Sequence, residues 1–170
     1  MDPFISVVVT AHDRRRYLPE ALRSLEAQTL GKDRFEVIVV RNFEDSFSDG
    51  IIRRNGWKNI VTDVVPVGGK MAIGLQEAKG EVITFLEDDD MYAPERLQAV
   101  AQAFTGLRGL VYFHNAQVAI DEEGRAVASV GLGAELTVDD PPRRCRELFV
   151  EPGGFHNSSS IAVSSRLRRT

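Results

Sequence analysis

The strongest constraint on the fold is an alternation that holds through the first 114 residues. "FISVVVT" and "FEVIVV" are short, continuous, apolar and rich in β-branched residues, the pattern of buried strands. "NIVTDVV", "VITFL" and "GLVYFHN" read as the third, fourth and fifth strands, the fourth also buried. Between the first two, Leu18, Ala21, Leu22 and Leu25 recur at helical spacing, with Pro19 tolerated in the first turn. A short helix is expected near Ile51–Asn55. Met71, Leu75 and Ala78 give another helix face, with Gly80 placed to end it. Leu97, Val100, Ala101 and Phe104 give the next. Strand and helix in alternation predict an α/β fold, a doubly wound parallel sheet with right-handed crossovers. Beyond residue 114 the pattern changes. "AQVAIDEEGRAVASV" reads as a hairpin turning at Asp121–Gly124, "PPRRCRELFV" as a short helix, and "NSSSIAVSS" as a late strand.

In open α/β sheets, ligands sit outside the carboxyl ends of the strands. Three loops fall there: Thr10–Arg16, Arg41–Asp49 and Glu87–Met91. The last belongs to "EVITFLEDDDMYAPERL", where Glu87, Asp88, Asp89 and Asp90 break in between a buried strand and a helix. Neighbouring carboxylates about 6 Å apart repel by roughly 3 kcal/mol when partly buried. The run is therefore either solvated or answered by positive charge. Adjacent acids at a strand end suit a hard divalent cation, Mg²⁺ or Mn²⁺, with coordination positions left for phosphate. Asp90 is also placed to do no more than favour the start of the next helix.

Charge narrows the ligand class. The net charge is −4, but Arg143, Arg144, Arg146, Arg166, Arg168 and Arg169 crowd the end of the chain and leave the rest strongly acidic. An acidic body argues against nucleic acid. The basic end reads as a solvated helix face, with anionic lipid headgroups as the alternative. Cys145 is the single cysteine, so no intrachain disulfide can form, and a reducing compartment is expected. The start, Met1-Asp2-Pro3-Phe4, lacks the parts of a signal peptide, and no apolar run approaches the ~20 residues of a membrane span. The expected location is cytoplasmic, with contact at the inner face of the membrane possible through the basic end.

"ISVVVTAHDRRRYLPEALRSLEAQTL…FEVIVV" followed by "AKGEVITFLEDDDMYAPERL" resembles the family 2 glycosyltransferases. The resemblance covers nearly the whole chain and is strongest over residues 4–40 and 78–104. It implies a GT-A fold: a Rossmann-like, mostly parallel sheet with a partly antiparallel C-terminal portion. It also implies one domain over 1–170, with a nucleotide-binding half over 1–114 and an acceptor-side half over 115–170 that is incomplete. The implied activity is inverting transfer of a sugar from a nucleoside-diphosphate sugar to a sugar, lipid or other hydroxyl acceptor.

The same resemblance implies roles. Asp89 takes the last position of the family's Asp-x-Asp and would ligate Mn²⁺ or Mg²⁺. Glu87 takes the first position, and Asp88 between them would touch ribose. Thr10, Ala11 and His12 fall where base and ribose are received. Two positions depart from the family. Arg41 and Asn42 stand where an aspartate usually accepts the uracil N–H. Arg41 has no acceptor, which points to a guanine nucleotide read through O6, or to Asn42 taking over. Met71 and Ala72 replace an Arg-Asn pair, leaving Lys70 as the nearest cation beside Gly68-Gly69.

His156 and Asn157 fall on the acceptor side. The carboxylate base belongs after the late strand, which places it beyond Thr170. If the chain is a fragment, Leu167 and nearby apolar surface would invite self-association. Nucleotidyltransferases need a Gly-rich first loop that "TAHDRRR" lacks. Dehalogenase-type phosphatases and receiver domains need their aspartates after the first strand. The remaining rival is a degenerate GT-A module that binds nucleotide or a partner without turnover.

Overall fold

The computed structural model describes residues 2–130 and 158–169. The apolar runs become β1 (Ile5–Ala11), β2 (Phe35–Arg41), β3 (Lys58–Val61), β4 (Val82–Glu87) and β5 (Tyr112–His114). Between them lie α1 (Leu18–Glu26), α2 (Ser46–Arg54), α3 (Val67–Glu77) and α4 (Arg96–Gly106). The hairpin strands are β6 (Gln117–Ile120) and β7 (Ala126–Val130), and the late strand is β8 (Ile161–Ser164). The main sheet runs β3-β2-β1-β4-β8-β5. β1 to β4 are parallel neighbours, whereas β8 is antiparallel to both β4 and β5. β6 and β7 form a separate two-stranded sheet, and Gly124 in their turn has φ +78°, a left-handed conformation that glycine takes without penalty.

Strand parity decides which helix covers which face. Ile5, Val7, Val9 and Ala11 of β1, with Phe35, Val37 and Val39 of β2, face α1, α2 and α4. Val8, Ile38, Val40 and Ile83 face the other way, onto α3. α1 has no side-chain N-cap, a loss of about 1 kcal/mol. Burial of Leu18, Leu22 and Leu25 outweighs it at roughly 1.5–3 kcal/mol each. α2 begins earlier than the sequence spacing suggests, because the Asp45 carboxylate accepts from Ser48 N at 2.8 Å and caps it.

α3 bears out part of the expected face: Leu75 packs against the sheet and Ala78 is buried, but they are joined by residues the apolar spacing did not mark. Lys70 and Gly74 are its buried positions, while Met71 and Leu75 are partly exposed. A Cβ on Gly74 would lie 2.3 Å from Val8 Cγ1, so the helix backbone rests directly on β1. Gly80 likewise does not end α3, which stops at Glu77. It lets the chain press on β1, where a Cβ would fall 2.6 Å from Ser6 N. Among the described residues, no helix is long and apolar enough to cross a membrane. The expected "PPRRCRELFV" helix, His156 and Asn157 lie outside the described residues.

Candidate functional site

The chain leaves β1 for β2 and β3 on one side, then returns to β4 on the other. The loops after β1 and β4 therefore diverge around one point at the carboxyl edge, the place where such sheets form a crevice. Three of the expected loops meet near that edge, and the acid run lies at its centre.

Asp88 is almost fully buried, and its Oδ2 accepts from His12 N at 3.1 Å. That bond ties the β4 end to the β1 loop. Burial drives the Asp88 carboxyl up to about 6, although the His12 amide and Arg14 favour its charged form. Asp89, with its side chain 41% exposed, accepts from Arg14 Nη1. The same Nη1 lies 3.8 Å from Asp88 Oδ1. Partial burial works against the Arg14 charge, but Asp88 and Asp89 outweigh it and hold the guanidinium charged. Asp90 is raised, chiefly by burial, and the Ser159 hydroxyl partly offsets this. Glu87 accepts from Ser158 Oγ at 2.6 Å, and its amide donates to Ser159 Oγ at 2.9 Å. The turn before β8 thus holds the start of the acid run.

The cationic side is built from α3. Lys70 is buried; its Nζ lies 3.0 Å from His12 Nδ1 and donates to Val65 O at 3.1 Å. Burial lowers its pKa, while Asp13 and Asp88 act the other way. It is no solvated helix start. Thr10 is buried on the same α3 side of β1. Asp13 has φ +59°, an uncommon left-handed residue. It is held there by a reciprocal pair with Asn42: Asp13 N donates to Oδ1 at 3.0 Å, and Nδ2 donates back at 2.8 Å. Asn42 therefore shapes the β1 loop.

Arg41 is a correction. Continuing the parity of Phe35, Val37 and Val39, it turns under α2 with no exposed surface. Its Nε donates to Asn59 Oδ1 at 2.9 Å, and Nη1 to Asp45 Oδ2 at 3.5 Å; Nη2 pairs with Asp49. Each guanidinium nitrogen is engaged inside the fold, so Arg41 is not the base reader expected at the edge, and guanine selection loses its residue. The signal was present in the sequence: Arg41, Asp45 and Asp49 recur every four residues.

The acids also border a cleft of about 720 Å³ between α1 and the β6–β7 turn, reached by Tyr17, Met91 and Ile120. A second, of about 410 Å³, lies at the opposite edge around Lys32, Phe35 and Trp57. It touches none of the acids.

Asp89, partly open to solvent, offers the kind of hard oxygen donor that Mn²⁺ or Mg²⁺ takes. Among the described residues, no three His, Cys, Asp or Glu side chains form a ready-made metal cage, so a bound cation would need ligands from its co-ligand. Arg14, Asp13, Ser158 and Ser159 carry much of this geometry, and the sequence reading assigned none of them a role. Their partners lie far away in sequence.

The family model described as glycosyl transferase family 2 matches residues 6–129. The chain belongs to that family. An uncharacterized glycosyltransferase of Nostoc sp. is 30% identical over 59% of this chain and 32% of its own length. One of Haemophilus influenzae is 27% identical over 71% and 41%. Among solved structures, Staphylococcus aureus TarS 1–349 in complex with UDP-GlcNAc is similar with a TM-score of 0.68, at 23% identity, over 99% of this chain and 47% of that one. The mannosyltransferase PcManGT of Pyrobaculum calidifontis, in complex with GDP-Man and Mn²⁺, gives 0.63 at 16% identity, over 99% and 46%. The fold is thus the GT-A fold of glycosyltransferases. The chain spans less than half the length of these relatives.

Proposed function

We propose that this edge binds a nucleoside-diphosphate sugar and serves its transfer, with inversion, to an acceptor hydroxyl. The observation that carries the reading is the His12–Asp88 bond, which joins the β1 loop to the acid run beside a buried Lys70. It sets carboxylates for a cation against a cationic wall for an anion. Thr10, Ala11 and His12 line the nucleotide side, Asn42 fixes their loop through Asp13, and Lys70 supplies positive charge beneath it. Asp88 faces the ribose. Asp89, with Glu87 behind it, would hold Mn²⁺ or Mg²⁺. Such a cation, when bound, supplies Lewis-acid stabilisation to the leaving diphosphate. The half over 1–114 then serves the donor and that over 115–170 the acceptor. PcManGT in its GDP-Man and Mn²⁺ complex, and TarS in its UDP-GlcNAc complex, support the donor class.

Nucleotide binding without turnover is the second reading, favoured by the Arg14–Asp89 pair that already neutralises the metal position. Calorimetry with UDP and with GDP, each with and without Mn²⁺, tests the first. Mn²⁺ should tighten one nucleotide at least tenfold, about 1.4 kcal/mol, and Asp89→Ala should remove that gain. An unchanged gain in Asp89→Ala overturns the assignment.

A further inference from the structure

Arg14 is the cation ion-paired to both Asp88 and Asp89, and nothing in the proposed chemistry yet uses it. Its backbone is fixed: the preceding residue, Asp13, is locked in a left-handed conformation by Asn42. Its side chain is not, being 49% exposed. It lies over the acids from the solvent side and can leave them without opening the core. A guanidinium on Asp89 and a divalent cation on Asp89 compete for one carboxylate, because each satisfies the same charge.

We propose that Arg14 is a resident counter-ion that gives up Asp89 when a divalent cation arrives, and that the nucleotide's diphosphate becomes its new partner. This rests on the sugar-nucleotide reading of the site. Guanidinium pairs well with phosphate oxygens, so the exchange leaves no charge unpaired once cation and diphosphate are both present. With the cation alone, Arg14 loses its partner and gains none. Cation and nucleotide therefore bind cooperatively, and the coupling is reciprocal. Arg14 is a positioning residue here, keeping the acids ordered while the site is empty and discouraging metal without substrate.

Mn²⁺ binding is read by the free-ion electron paramagnetic resonance signal, alone and with saturating UDP or GDP. The full chain is compared with Arg14→Met, Arg14→Gln and Arg14→Lys, folding being checked by circular dichroism. Removing a unit charge at this range should tighten binding of Mn²⁺ alone by at least about tenfold in the Met and Gln variants. The Lys variant should stay near wild type. The factor by which Mn²⁺ improves nucleotide affinity should shrink in the two neutral variants. Equal affinity for Mn²⁺ alone in wild type and both neutral variants overturns the proposal. Asp89→Asn separates the two readings. If it abolishes nucleotide-dependent Mn²⁺ binding while the neutral variants match wild type, the site assignment stands and the counter-ion role falls. If nucleotide-dependent Mn²⁺ binding does not involve Asp89, both fall.

Discussion

Asp88 carries a cost that its surroundings only partly offset. Burial lifts its carboxyl from 3.8 to about 6, so the folded chain holds that proton more tightly than the unfolded one. Stability therefore falls as pH rises across that interval. At about 1.4 kcal/mol for each pH unit, the ionised group costs the fold on the order of 3 kcal/mol near neutrality. Asp88→Asn keeps an acceptor for the His12 amide and removes the charge. It should melt above wild type at pH 7 and together with it at pH 4, as thermal melts across that range would record. Equal melting at pH 7 would contradict the burial argument. Arg41 behaves in the opposite way, because its charge is paired. Arg41→Met would leave Asp45 and Asp49 facing each other beside the core. The loss should be about 3 kcal/mol, at the low end for a broken buried pair because both acids keep some solvent contact. Urea unfolding measures it. A normal unfolding midpoint with selective loss of GDP binding would restore Arg41 as a base reader.

Helix α3 packs Ile73 and Leu75 on the sheet and also brings its backbone onto β1 at Gly74, while Gly80, beyond its end, lets the following chain do the same. The two positions differ in what would block a methyl group. At Gly74 the obstacle to a methyl group is the side chain of Val8, itself fully buried. Gly74→Ala gains up to about 1 kcal/mol of helix propensity but overpacks a stiff β-branched neighbour, for about 1–3 kcal/mol. At Gly80 the obstacle is the β1 backbone, with Ser6 N at 2.6 Å and Ile5 C at 2.8 Å. Its own amide donates to Ser6 Oγ at 2.8 Å, and that hydroxyl donates to Glu36. A strand held on both sides cannot yield as a side chain can. Gly80→Ala should therefore destabilise more than Gly74→Ala in urea, and Val8→Ala should rescue only the Gly74 variant. Equal losses, or rescue of both, would show that α3 shifts as a body.

For the whole molecule, a ligand that binds only the folded chain raises its stability. A nucleoside diphosphate with Mn²⁺ at a hundred times its Kd should add about 2.7 kcal/mol, a rise of roughly 5–10 °C for a domain of this size. A thermal-shift series with UDP, GDP and ADP, with and without Mn²⁺, checks this. No shift for any nucleotide at millimolar concentration would remove the donor-site reading altogether. The 720 Å³ cleft beside the acids lies toward the β6–β7 turn, whereas Lys70 belongs to α3 on the Val8 and Ile38 face of the sheet.

The order of strands and helices, the hairpin and the position of the acid run were legible in the sequence, because each rests on a period or a punctuation mark a few residues long. The β1 and β2 runs also reported burial. They did not announce that Arg41 turns inward, since an unbroken apolar run does not display its parity; the Asp45 and Asp49 spacing was the clue. Leu75 and Ala78 of the expected α3 face do meet the sheet, but Met71 stays partly exposed while Lys70 and Gly74 are buried, a polar side chain and a missing one that no apolar period marks. The site's electrostatics came only with tertiary structure. Arg14 meets Asp89 across 75 residues, and Lys70 meets His12 across 58. Which charge a carboxylate pairs with depends on the sheet order, and the insertion of β8 between β4 and β5 brings Ser158 onto Glu87. Local pattern specifies elements. The strength and partners of a charge are set by burial and by distances that exist only once the sheet has formed.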